Sequence, residues 1–102
     1  QQAGHEFLVN LELNQQEKAR FERTFAAEDL YLKGFLGFLR GDSLAEQYQT
    51  FDSALNLAPW NDSLRARIYA QYSYIASIQR NPVERARLME KANRLYRDRA
   101  SE

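Results

Sequence analysis

The chain has 102 residues, with 14 Lys and Arg balanced by 14 Asp and Glu, one His and no Cys. That length suits one domain, which can bury roughly 60 to 70% of its unfolded surface without disulfides or a structural metal. The absence of Cys excludes thiol nucleophiles, iron–sulfur clusters and Cys-containing zinc sites, and the zero formal charge argues against the broad basic surface that sequence-independent nucleic-acid binding needs.

Leu and Ala supply 26 residues, and the β-branched Val, Ile and Thr together supply seven, so the composition favours helices over strands. No apolar run approaches the roughly 20 residues that span a bilayer, and the opening QQAGHEF lacks the basic and apolar regions of a secretory signal. Membrane insertion by this segment is not expected, and the compartment stays open with the cytoplasm as the default. Starting without Met, the chain reads as an excised or processed piece of a longer protein. Residues 1–13 then form a lead-in, in part an appended tail, and residues 14–102 a single helical domain.

In chain order, Glu6 to Leu13 (EFLVNLEL) is ambiguous, because Phe7, Val9, Leu11 and Leu13 alternate as in a strand while Phe7, Leu8 and Leu11 also suit a helix. A lone strand has no pairing partner, so a helical or irregular lead-in is expected. Asn14 stands three residues before Glu17, the spacing of a capping box, and predicts a helix over about 15–40, with a kink near Ala26 to Asp29. Its core stripe is expected to be Phe21, Phe25, Leu32, Leu36 and Leu39. Ser43 and Glu46 predict a second helix over 43–58, with the stripe Leu44, Tyr48, Phe51, Leu55 and Ala58. Pro59 and Trp60 break the chain, and Asn61 and Asp62 cap a third helix over 61–79 carrying Leu64, Ile68, Tyr72 and Ile75. Asn81 with Glu84, and Pro82 at the first helical position, open a fourth helix over 82–98 carrying Leu88, Ala92, Leu95 and Tyr96.

Antiparallel helices joined by short turns call for a repeat. The stretch AEDLYLKGFLGFLRGDSLAEQYQTFDSALNLAPWN, residues 27–61, resembles the tetratricopeptide (TPR) repeat. Leu30 matches the large apolar position, Gly34 the small position four residues on, Gly41-Asp42 the turn, and Phe51, Ala54 and Pro59 the ending, allowing a one-residue insertion around Ser43 to Glu46. Glycine inside a helix costs about 1 kcal/mol relative to Ala, so Gly34 and Gly37 point to a packing requirement. Residues 62–97 repeat the pattern more loosely through Ile68, Tyr72, Met89 and Ala92, with Tyr69 where a small residue is expected. The fold class expected is therefore all-α, a TPR-like antiparallel array of four to five helices. Since roughly three repeats are needed to close a core, extra packing has to come from the long first helix, a parent chain or a second copy.

No constellation for catalysis, cofactor or metal emerges. His5 has no matched ligand set, and Glu28-Asp29 are neighbours whose side chains diverge on a helix. Residues 1–60 carry five basic and nine acidic groups, a formal −4, and residues 61–102 carry nine and five, a formal +4. Arg80, Arg87, Lys91 and Arg94 recur along one face and could meet an acidic partner, but Glu90 before Arg94 is the favourable ion-pair order and reads as a solvated face.

The resemblance implies a groove lined by the first helix of each unit. It places Glu28, Tyr31, Phe35 and Phe38 in that groove from one unit, and Ser63, Ala66, Ala70 and Ser73 from the next. The Lys and Asn clamp with which some TPRs hold a terminal carboxylate is absent at Tyr31, Phe35, Ala66 and Ala70. The expected function is thus a non-catalytic interaction or assembly module, holding a partner's peptide or helix by apolar and aromatic contacts, with a homodimer as one form. The alternative is an accessory domain of a larger enzyme, packed on the parent chain.

Overall fold

A computed structural model describes the backbone of residues 2–100 and the side chains of residues 8–98, so the His5 and Phe7 side chains and residues 1, 101 and 102 lie outside the described residues. The chain is all-α: α1 (Gln2–Arg40), α2 (Leu44–Leu57), α3 (Asp62–Ile78) and α4 (Pro82–Ala100). Two antiparallel hairpins result, α1 against α2 and α3 against α4, with α3 touching both α1 and α2 more lightly. This is the packing expected of a TPR-like array. The molecule is elongated, 65 × 31 × 14 Å.

Three helix starts follow their local chemistry. Ser43 Oγ accepts the Glu46 amide at 3.2 Å, Asn61 Oδ1 accepts Leu64 at 3.2 Å, and Asn81 Oδ1 accepts Glu84 at 3.2 Å. Each satisfies an amide that the first helical turn leaves without a carbonyl. Gly41 ends α1 at φ 82, in the left-handed region where a side chain is disfavoured, and Arg80 takes the same role after α3 at φ 58. Arg80 is therefore in a turn and does not share the α4 face of Arg87, Lys91 and Arg94.

The first helix departs from expectation. Asn14 caps nothing, because α1 runs unbroken from Gln2 through the lead-in, past residue 14 and through 26–29. Its polar neighbours Gln15, Gln16, Glu17 and Lys18 are good helix formers, and a capping spacing without a chain break upstream cannot stop a helix that is already propagating.

The core is formed by Ala27, Phe51, Ala54, Ala58, Leu64, Ile68, Tyr72, Ile75, Ala76 and Leu88, with Leu30, Tyr31, Phe38, Tyr48, Leu55 and Tyr69 packed on it. Leu88 and Ala92 are buried as expected, whereas Met89, matched to the large apolar position of the repeat, and Tyr96 are exposed. The stripe on α1 is the larger correction: Phe21, Phe25, Leu32, Leu36 and Leu39 face outward, each between 51 and 64% exposed. The face that packs carries Ala27, Gly34 and Gly37: a Cβ on Gly34 would lie 2.8 Å from Phe51 Cε1 of α2, and one on Gly37 2.6 Å from Asp42 Oδ2 in the turn before α2. Small residues win this face because they admit the Phe51 ring, a buried group larger than any side chain they forgo.

Tyr72 sits at the centre of the aromatic cluster, 5.0 Å from Tyr48 and 5.8 Å from Phe51 between ring centroids, and its hydroxyl donates to Asp52 Oδ1 at 2.5 Å. Burial first, then that bond, raises the Tyr72 phenol far above its ordinary value; burial also raises Tyr31 and Tyr48.

Gly34→Val forces a branched side chain into the Phe51 ring and is expected to lower unfolding stability by about 2 kcal/mol in urea titrations, whereas exposed Ala26→Val should change it by less than about 1 kcal/mol. Because the raised tyrosines keep their protons in the folded chain after the unfolded chain has lost them, stability is full below the usual tyrosine value near pH 10 and declines as pH rises beyond it. Denaturant midpoints between pH 8 and 11 should show that decline, and Tyr72→Phe should flatten it while lowering stability at pH 8 by about 1 kcal/mol.

Candidate functional site

Two faces of α1 compete for a functional role, and the rotation of the helix separates them. One faces α3. Tyr31, Phe35 and Phe38 lie there, all half-buried: Tyr31 is 5.9 Å from Phe51 and 6.4 Å from Phe35, and Phe38 meets Tyr74 edge-on at 5.4 Å. Their aromatic surface is largely engaged within the chain.

From α3, the groove residues expected from the repeat pattern are displaced by one position. Ala66 is fully buried, and Ser73 is buried with its hydroxyl donating to the Arg85 carbonyl at 3.0 Å, which ties α3 to α4. Neither is open to a partner in this structure, while Ala70 stays half-buried. Arg67 and Tyr74 are α3 residues that meet α1, and Ile78, one turn beyond Tyr74, is exposed as Tyr74 is. The sequence held a signal for this: Arg67, Ala70 or Gln71, Tyr74 and Ile78 recur at helical spacing as a stripe separate from Leu64, Ile68 and Ile75.

Arg67 joins the hairpins. Its guanidinium reaches Glu28 Oε1 at 2.5 Å, lies 4.8 Å over the Tyr31 ring, and donates through Nε to the Ser63 carbonyl at 3.3 Å. A planar, delocalised cation serves all three at once, which an ammonium cannot.

The second face of α1 points away from α2. Phe21, Phe25, Leu32, Leu36 and Leu39 lie along it, and Phe21 meets Phe25 edge to face at 4.6 Å on the open surface. Further toward the N-terminus, residues 8–23 are exposed all round, including Leu8, Val9, Leu11 and Leu13. Arg20 and Arg23 tie this overhang down by stacking on Trp60 at 4.7 and 5.0 Å.

The basic α4 face offers less. A surface depression there is lined by Arg87, Glu90, Lys91 and Arg94. Its cations already have partners: Arg87 on Glu84, Lys91 over Tyr69, and Arg94 on Glu90. Among the described residues no three His, Cys, Asp or Glu side chains come together to hold a metal ion, and no helix is long and apolar enough to cross a membrane. No protein-family model, curated protein or solved structure matches the chain.

Because contact between the hairpins is thin, Arg67→Met is expected to lower stability by about 1 to 2 kcal/mol and Arg67→Lys to restore less than half of that, as read by urea unfolding.

Proposed function

We propose that this chain is a non-catalytic, TPR-like helical assembly module that works by laying the outward face of α1 against another helix. The observation that carries this reading is the stripe of Phe21, Phe25, Leu32, Leu36 and Leu39, five large apolar side chains left uncovered on one side of one helix. Half-exposed side chains of this size present on the order of 600 Å² together, at the upper end of the largest apolar patch on an ordinary monomer, and such patches mark contact sites.

The resemblance to TPR repeats at Gly34, Phe51 and Ala54 supports the same class, since stacked helical repeats act by presenting helix faces to partners. The face shared by α1 and α3 is a poorer docking site, because Tyr31 and Phe38 are already in aromatic contact within the chain. The ion pairs Asp29–Lys33, Asp62–Arg65, Glu84–Arg87 and Glu90–Arg94 run along single helices and read as solvated helix faces.

A photo-crosslinking amino acid introduced at Leu32 should form a discrete protein adduct, either with a second copy or with another chain, while the same probe at exposed Glu46 on α2 should not. If Leu32 gives no adduct in the purified chain or in cells producing it, the assembly reading is wrong.

A further inference from the structure

The charges beside the apolar stripe carry the argument one step further, to what covers it. At 3.6 residues per turn, Phe21, Phe25, Leu32, Leu36 and Leu39 fall within an arc of about 60°. Along one edge of that arc, pointing away from α3, run Glu22, Asp29, Lys33 and Arg40, all exposed. The acidic pair occupies the N-terminal half of the row and the basic pair the C-terminal half. Along the other edge lie Glu17 and Glu28.

The orientation of a symmetric helix pair decides which edges meet. A two-fold axis parallel to the helices sets one edge against the other, which would place Glu22 beside the partner's Glu17, leave Arg40 with no acidic residue, and offer Lys33 only Glu28, already held by Arg67. A two-fold axis across the helices sets each edge against itself with its direction reversed. The row is complementary to its own reverse: Glu22 falls opposite Arg40 and Asp29 opposite Lys33, both about the same midpoint, Tyr31. The apolar residues obey nearly the same symmetry, with Phe21 opposite Leu39, Phe25 opposite Leu36, and Leu32 beside the axis.

We infer that the outward face of α1 pairs with the same face of a second copy, antiparallel and centred near Tyr31. The inference rests on the assembly reading above and adds its occupant and geometry. Within one copy, Lys33 already reaches Asp29 at 2.9 Å, and Arg40 reaches Asp42 at 3.0 Å. Pairing joins the two Asp29–Lys33 bridges across the axis into a four-membered network and adds Glu22 to each Arg40. Two stripes together offer about 1,200 Å² of surface, the lower bound of a standard stable interface, so a dimer of micromolar strength is expected.

The test uses the whole 102-residue chain, which has no cysteine of its own. Sedimentation equilibrium should give a dimer at tens of micromolar. Under mild oxidation, a mixture of Phe25→Cys and Leu36→Cys chains should form a disulfide-linked pair, while either variant alone should not, because like positions lie about 15 Å or more apart along an antiparallel pair. Glu22→Arg and Arg40→Glu should each weaken the dimer about 10-fold, and the double variant should recover to within about 3-fold of the parent. These positions are exposed, and circular dichroism at each step reports the fold.

A chain that stays monomeric at several hundred micromolar overturns the pairing. So does a Phe25→Cys chain that links to itself, which would indicate parallel helices, or a dimer in which the mixed chains fail to link. A monomer whose Leu32 probe still labels a different protein overturns the self-pairing alone. A monomer with no Leu32 adduct overturns the assembly reading as well.

Discussion

The close approach of α1 to α2 at Gly34 sets the rest of the architecture. Phe51 is fully buried, and its ring lies where any side chain at position 34 would begin. For that contact to form, α1 must present Gly34, with Ala27 two turns earlier and Gly37 about one turn later. A helix is rigid about its own axis, so this choice turns every other face with it. Leu32, Leu36 and Leu39, on the opposite side, are carried outward by the same rotation that admits the ring. The exposed leucines are therefore a consequence of how the core is built.

Much of the fold was legible in the residues. The caps at Ser43, Asn61 and Asn81 place three helix starts to within one residue, because capping is a local hydrogen bond that needs no tertiary information. The packing role of Gly34 was also readable, since a glycine inside a helix needs a reason. The orientation of α1 was not. Ranking faces by apolar side chains favours a row of Leu and Phe over one made of Ala and Gly. That ranking fails where the partner brings the bulk, as Phe51 does. Two of the expected groove residues are placed otherwise for a related reason: Ala66 and Ser73 read as small surface residues, whereas both are buried and Ser73 bonds to the α4 backbone. One residue on, Arg67 and Tyr74 hold the positions facing α1.

The junction between the hairpins follows from the same economy of contacts. Within each hairpin, helices pack along most of their paired length, while between hairpins the bond rests on Arg67 with Glu28 and Tyr31, on Phe38 with Tyr74, and on the aromatic cluster of Tyr48, Phe51 and Tyr72. Tyr72 is the deepest of these links, because its ring lies in the core of both hairpins and its hydroxyl is bonded to Asp52 of α2. Arg67 is the shallowest, about a third exposed, so solvent screens its ion pair and much of its contribution comes from stacking on Tyr31.

The overhang of α1 then has a physical explanation that does not require its side chains to pack. Starting a helix in isolation is costly, because several residues must be ordered for the first hydrogen bond, but extending one that exists adds a bond for each residue fixed. The packed half of α1, from Ala27 to Arg40, supplies the start. Leu, Glu, Gln, Lys and Ala upstream are good propagators, and Arg20 and Arg23 clamp the exit on Trp60. At 1.5 Å per residue the 39 residues of α1 make a rod of about 58 Å. Its outward stripe is held on one rigid element before any partner arrives. Association on that stripe loses mainly side-chain and rigid-body freedom and almost no backbone freedom, so an interface of modest area can be sufficient.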